Sequence, residues 1–114
     1  MYRFQCHCKT VTIFVSHKPD SLTRCNCSLC QRYAAIWGYF KSEDVEIRAP
    51  KDSMDVYCWG DKCINFYRCK NCGCVTHYTL IPEAHLDRVS INFNMGDSKL
   101  INEIRIRHFE GSAM

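Results

Sequence analysis

The chain has no apolar stretch long enough to cross a bilayer. Its longest, Tyr33 to Phe40, contains one glycine and ends far short of the ~20 residues a membrane helix needs. The N-terminus lacks the apolar core of a secretory signal; Met1-Tyr2-Arg3-Phe4-Gln5 runs directly into a cysteine. This points to the reducing cytoplasm, where clustered cysteines read as ligands or catalysts before they read as disulfides. Internal repeats, low-complexity tracts and linkers are also missing, so the 114 residues read as one domain, 1–114. Helix is scarce, limited to about one turn at Ser28 to Tyr33 and a short piece at Ser98 to Glu103.

What the chain does have is strand pattern. Thr10 to Val15 alternates and is β-branched, and Val45 to Arg48 alternates before Pro50. Ala35 to Phe40 is an apolar run of strand length. Val56 to Trp59 and Ile64 to Tyr67 flank a turn at Gly60-Asp61. Val75 to Leu80, Val89 to Phe93 and Ile104 to Arg107 complete a mainly β, antiparallel domain with its cysteines at strand ends and turns. Open strand edges leave room for a dimer.

Seven of the ten cysteines fall in three tight clusters: Cys6-His7-Cys8, Cys25-Asn26-Cys27-Ser28-Leu29-Cys30 and Cys69-Lys70-Asn71-Cys72-Gly73. Tetrahedral zinc holds each sulfur at about 2.3 Å, which brings neighbouring sulfurs roughly 3.7 Å apart. On a strand, Cys6 and Cys8 share a face and lean toward one ion while His7 faces away. Cys69 to Gly73 has the form of a zinc knuckle, with Gly73 permitting a tight exit at positive φ. Together Cys6, Cys8, Cys69 and Cys72 make a closed four-sulfur site that ties the N-terminal strand to the middle of the chain.

The triple is different. Cys25 and Cys27 share a strand face and Cys30 returns about one helical turn later. Three sulfurs from one segment form the base of a tetrahedron, and an open fourth position is what distinguishes catalytic zinc from structural zinc. Other readings stay open at this point. Cys74, Cys58, Cys63 or a histidine could close the second site and make it structural. Those three cysteines also read as small buried strand residues. Disulfides across the clusters are disfavoured by Cys-x-Cys strain, and an iron–sulfur cluster by spacing. If both sites fill, four thiolates with one divalent ion and three with another offset the formal charge of +3. That removes most of the case for a basic nucleic-acid surface.

These three motifs, in this order, resemble the glutathione-dependent formaldehyde-activating enzyme family over nearly the whole chain. The resemblance implies a β-tent fold. It implies one zinc on Cys6, Cys8, Cys69 and Cys72 and a second, catalytic zinc on Cys25, Cys27 and Cys30, so two zinc ions per chain. It also implies a carbon–sulfur lyase reaction joining glutathione and formaldehyde into S-hydroxymethylglutathione. Gln5 and Lys9 stand where the family usually has glycines, and Asn26 where histidine is common. The chain looks like little more than the family's minimal domain. The expected partners are a small thiol such as glutathione and a small aldehyde, with no nucleic acid and no membrane. His77 and Tyr78, then His85 and Asp61, are the candidates for delivering a proton to the product oxygen. Trp37, Trp59 and Phe66 read as core that could also rim a pocket, His17 and His108 as exposed strand-end residues, and Arg105 and Arg107 as the solvated face of the last strand. The competing class is a non-catalytic zinc-stapled β domain that docks a protein partner.

Overall fold

A computed structural model describes residues 1–59, 64–84 and 86–111. Alternation builds the first sheet. In Thr12–Val15 (β2), Ile13 and Val15 are buried while Thr12 and Phe14 are half-buried. β2 pairs antiparallel with Tyr2–Gln5 (β1) on one side and Val45–Arg48 (β5) on the other, giving three strands in the order β1-β2-β5.

The second sheet takes up the remaining strands: Ser21–Cys25 (β3), Trp37–Phe40 (β4), Met54–Trp59 (β6), Ile64–Cys69 (β7), Val75–Thr79 (β8), Val89–Asn92 (β9) and Arg105–Phe109 (β10). Their order is β10-β3-β4-β9-β8-β7-β6. Every pairing is antiparallel except β10 with β3, which is parallel and sets Arg107 opposite Thr23 and Phe109 opposite Cys25. The two expected helical pieces form at Ser28–Tyr33 (α1) and Ser98–Asn102 (α2). α1 is capped at its start by Cys27 and at its end by Ala34 in the left-handed conformation. The turn expected at Gly60-Asp61 lies outside the described residues, although β6 and β7 do pair as a hairpin.

The main core joins the small sheet to the large one: Phe4, Ile13 and Val15 gather with Leu22, Ile36, Phe40, Ile91 and Phe93. The rings of Phe4 and Phe93 lie 4.5 Å apart, and Phe40 stacks on Phe93. A second apolar cluster gathers Cys27, Cys30, Ala35, Trp37, Phe66 and Tyr78. Period-two alternation assigns each strand residue to its side. Phe66 faces Tyr78 across β7 and β8, and in the next rung Tyr67 stacks on His77 with ring centroids 4.5 Å apart. Adjacent residues therefore point to opposite faces, and Tyr78 goes with the second cluster while His77 does not. Among the described residues no helix is long and apolar enough to cross a membrane.

Candidate metal centres and an adjoining cavity

Two strand connections make the first centre. After β1, the Cys6 N–H donates to the Val11 carbonyl and the Lys9 N–H to the Cys6 carbonyl. After β7, the Cys69 N–H donates to the Cys74 carbonyl and the Gly73 N–H to the Cys69 carbonyl. The two turns thus share a closing bond between residues five positions apart. Each leaves through a left-handed residue, Lys9 at φ 67° and Gly73 at φ 80°.

Cys6 and Cys8 accordingly sit on a turn, which corrects the expectation of a strand. A strand separates residues i and i+2 by about 6.6 Å of rise. The turn instead brings the Cys6 and Cys8 sulfurs to 3.7 Å, with Cys8 and Cys69 at 3.6 Å. All four sulfurs of Cys6, Cys8, Cys69 and Cys72 lie within 4.8 Å of one another. These separations match the roughly 3.7 Å edge of a tetrahedral zinc–thiolate site, so the donor set fits the ion. The Val11 N–H donates to the Cys6 sulfur. Burial pushes the Cys6 thiol up to about 11, while hydrogen bonds from Thr10 and Asn71 bring Cys8 down to about 5.

Lys9 occupies a conformation that costs an L-residue about 1–2 kcal/mol and glycine almost nothing. Glycine returns part of that gain as entropy of the unfolded chain. Lys9→Gly is therefore expected to stabilise the protein by about 0.5–1 kcal/mol, read as a rise in thermal midpoint at unchanged metal content. A fall in midpoint would show that the Lys9 side chain contributes more than its backbone costs.

The second centre lies where β3 ends and α1 begins. Cys25 closes the strand, Cys27 caps the helix and Cys30 sits in its first turn. The Cys27 N–H donates to the Cys25 sulfur, and the Cys30 N–H to the Cys27 sulfur. Their three sulfurs also lie within 4.8 Å of one another, and among the described residues no fourth Cys, His, Asp or Glu joins them. Burial pushes Cys25 and Cys30 up. Burial acts on Cys27 too, yet the Cys30 N–H and the flanking thiols leave it below the usual thiol value.

The end of β10 straps this loop. The Asn26 N–H donates to the Phe109 carbonyl, the Gly111 N–H donates to Asn26 Oδ1, and Asn26 Nδ2 donates to Glu110. A Cβ on Gly111 would stand 2.9 Å from the Cys25 sulfur and 3.1 Å from Cys27 Cβ, so only glycine lets the strap lie this close.

The triple opens on a cavity of about 400 Å³. The three cysteines line it together with the rings of Trp37, Tyr39, Trp59, Phe66, Tyr78 and Phe109, and Arg88, Arg107 and Thr23 give its polar part. Trp37 is fully buried, and its indole N–H makes no full hydrogen bond but approaches the Cys30 sulfur and favours its charged form. An orphaned donor beside a thiol suits a site where that sulfur carries negative charge, as a metal-bound thiolate does. Trp37 and Phe66 thus serve both as buried core and as cavity wall.

The remaining sequence candidates separate clearly. Tyr78 lines the cavity; burial, then the Tyr39 hydroxyl, push its phenol up to about 12 against the opposing pull of Arg88. His77 lies on the other face of β8, hydrogen-bonded to Thr76 and stacked on Tyr67, and burial pushes it down to about 4. His85, Asp61 and Cys63 lie outside the described residues. Cys74 sits half-buried beside Cys72 and Cys69, taking a hydrogen bond from the His7 N–H, so it accompanies the first centre. Cys58 is exposed on the edge strand β6 and disulfide-bonded. It is neither the small buried residue expected nor a ligand, because an edge strand leaves that face uncovered. His17 and His108 are exposed, as expected. The sequence reading missed Arg88, Tyr39, Phe109 and the Asn26 latch as parts of the site. It left Arg107 to solvent; exposed as that residue is, its guanidinium turns back onto Thr23 Oγ1 at 3.2 Å and lines the cavity.

Two β-sheets carrying two cysteine clusters able to bind metal ions, one of them facing a cavity, define the class as a small cysteine-rich β metal-site protein. More particularly, the chain belongs to the family described as glutathione-dependent formaldehyde-activating enzyme, which matches residues 1–108. Its fold is similar to the crystal structure of a Rhodobacter sphaeroides protein, with a TM-score of 0.72 at 22% identity, covering 92% of this chain and 99% of that one. No curated protein sequence matches significantly.

Proposed function

We propose that the chain is a zinc-dependent carbon–sulfur lyase that forms or cleaves the adduct of a small thiol, such as glutathione, with a small aldehyde, such as formaldehyde. Zinc on Cys6, Cys8, Cys69 and Cys72 holds the fold, and zinc on Cys25, Cys27 and Cys30 serves the reaction. The observation that carries this reading is the three-sulfur cluster opening, without a fourth ligand among the described residues, on the aromatic cavity. When bound there, zinc supplies the positive charge that keeps a thiol in the fourth position ionised.

A free thiol with pKa near ~8.5 is a few per cent ionised at neutral pH, so ionisation contributes at most about 30-fold. The cavity must supply the rest by holding thiolate and aldehyde together and keeping water out. Trp37, Trp59 and Phe66 give it apolar walls. In the forward direction the sulfur–carbon bond forms and the carbonyl π pair moves to oxygen. That oxygen takes a proton from the Tyr78 hydroxyl, and solvent returns to Tyr78 the proton the thiol gave up. A phenol raised to about 12 remains protonated throughout the neutral range, and Arg88 beside it offsets the transient phenolate. The reverse reaction uses the same groups in the opposite order.

The test is formaldehyde consumption by the zinc-loaded protein with glutathione, followed by NMR of the S–CH₂–OH signal. Tyr78→Phe is expected to lower turnover by about 10²-fold, the lower end for a positioned acid. The thiolate-to-metal absorption of the cobalt-substituted protein with glutathione should not change. Unchanged turnover in this variant would remove Tyr78 from the mechanism, and no thiol-induced cobalt band would overturn the reading itself.

A further inference from the structure

Apart from the cysteine cluster, the cavity wall carries charge of one sign only. Arg88 and Arg107 line it, and none of its other described residues is Asp, Glu or Lys. Both guanidiniums are held in place by neutral groups. Arg107 donates to Thr23 Oγ1, and Arg88 lies 4.5 Å over the Tyr39 ring. Neither is in an ion pair among the described residues. A guanidinium fixed at a cavity without a carboxylate partner is a site for an anion from outside.

Position gives the subsite a distance from the metal centre. In the parallel register of β10 on β3, Phe109 pairs with Cys25 and Arg107 pairs with Thr23, two residues further back. Two residues of strand amount to about 7 Å. Arg88 enters from the neighbouring side, immediately before β9 and next to Tyr78. An anionic group held by the arginines is therefore set back from the sulfur position by the length of several bonds.

We propose that Arg88 and Arg107 form a carboxylate subsite several bonds from the sulfur position, and that these two residues decide which thiols the cavity takes. This rests on the thiol reading of the three-cysteine centre. Arg107 is the more separable residue, since Arg88 also touches the proposed proton donor.

The experiment uses the cobalt-substituted full chain and three probes: glutathione, glutathione diethyl ester and the thiol-free dicarboxylate glutarate. Thiol binding is read from the cobalt–thiolate absorption, and glutarate binding from the fluorescence of Trp37 and Trp59, both in the cavity wall. Glutathione is expected to bind about 10- to 100-fold more tightly than its ester, the range of a charge-assisted contact, with the difference shrinking as salt is added. Arg107→Gln should lose most of that preference, and the double variant with Arg88→Gln all of it, while ester affinity stays the same. Glutarate should quench the wild type and not the double variant. Equal affinity of the wild type for glutathione and its ester would overturn the proposal. So would variants that weaken both thiols equally and lose cobalt, for then the arginines merely offset the charge of the cysteine cluster. Glutarate binding through the arginines without any thiol-induced cobalt band would keep the anion subsite and discard the thiol reading; failure of both probes would discard both.

Discussion

Cys69→Ser is expected to yield a chain that does not fold, rather than a folded protein lacking one metal. Cys69 is fully buried, its sulfur lies 3.6 Å from that of Cys8, and 61 residues of chain separate the two. The four-sulfur centre is the point where the β1–β2 turn of the small sheet meets the β7–β8 turn of the large one. A structural zinc contributes about 10–16 kcal/mol in model fingers. A whole domain has a net stability of about 5–15 kcal/mol. The first range is as large as the second, so losing this metal removes about as much free energy as holds the two sheets packed around Phe4, Ile13 and Phe93. The measurements are near-UV circular dichroism, hydrodynamic radius and zinc content. The expected result is loss of near-UV signal, an expanded radius and zinc far below the two ions per chain proposed for the wild type. A compact variant holding one zinc at the triple would show that the core alone carries the fold.

Much of this architecture is legible in the sequence because the strands that alternate do so for a local reason. Thr12 to Val15 and Val45 to Arg48 each carry the period-two pattern, and each is a strand. Ser21–Cys25 escapes that test: Leu22 and Thr23 are consecutive and both buried, so the strand shows no alternation. The metal-ligating spacings are legible for a similar reason, since Cys-x-x-Cys-Gly encodes its own turn. Cys6-x-Cys8 is harder, because its left-handed exit residue is a lysine and carries no conformational signal.

The cavity is the least legible part. Its cysteines come from one segment, but its arginines arrive by pairing that is not local. Arg107 reaches the site only because β10 lies parallel to β3, 84 residues away from Thr23 by sequence. The sequence around Arg105 and Arg107 reads equally well as a solvated edge, and Arg105 is indeed exposed. Asn26 shows the same principle. Within its own loop it is an odd residue between two cysteines; in the fold it is the latch that holds Phe109, Glu110 and Gly111 against them. His77 and Tyr78 are indistinguishable as proton donors until the β7–β8 register turns one toward the cavity and the other toward Tyr67.

Cys30→Ser is expected to give the opposite phenotype to Cys69→Ser: a folded protein that has lost its chemistry. The triple ties together only residues 25–30, which β3, the α1 cap and the β10 strap already hold in place. Removing its metal therefore removes no long-range tie. Two thiolates and a hydroxyl make a poor site for zinc, whose affinity here rests on sulfur. Zinc content should fall by about one ion per chain relative to the two that the proposed ligand sets would hold, while near-UV circular dichroism and the hydrodynamic radius stay those of the wild type. Adduct formation should fall to the uncatalysed rate, because ionisation and positioning of the thiol both end with the fourth ligand position. Burial sharpens the pH side of the same prediction. Cys25 and Cys30 are held above the usual thiol value, so protons compete hard for their sulfurs. Cys6 of the four-sulfur centre is raised likewise, so it is the number of sulfurs that separates the centres: as pH falls, the three-sulfur triple should give up its metal before the closed four-sulfur centre, and activity should vanish while the fold persists. Simultaneous loss of both metals and of near-UV signal, in Cys30→Ser or on acidification, would mean that the two centres are a single structural unit and that the open position is not where function lies.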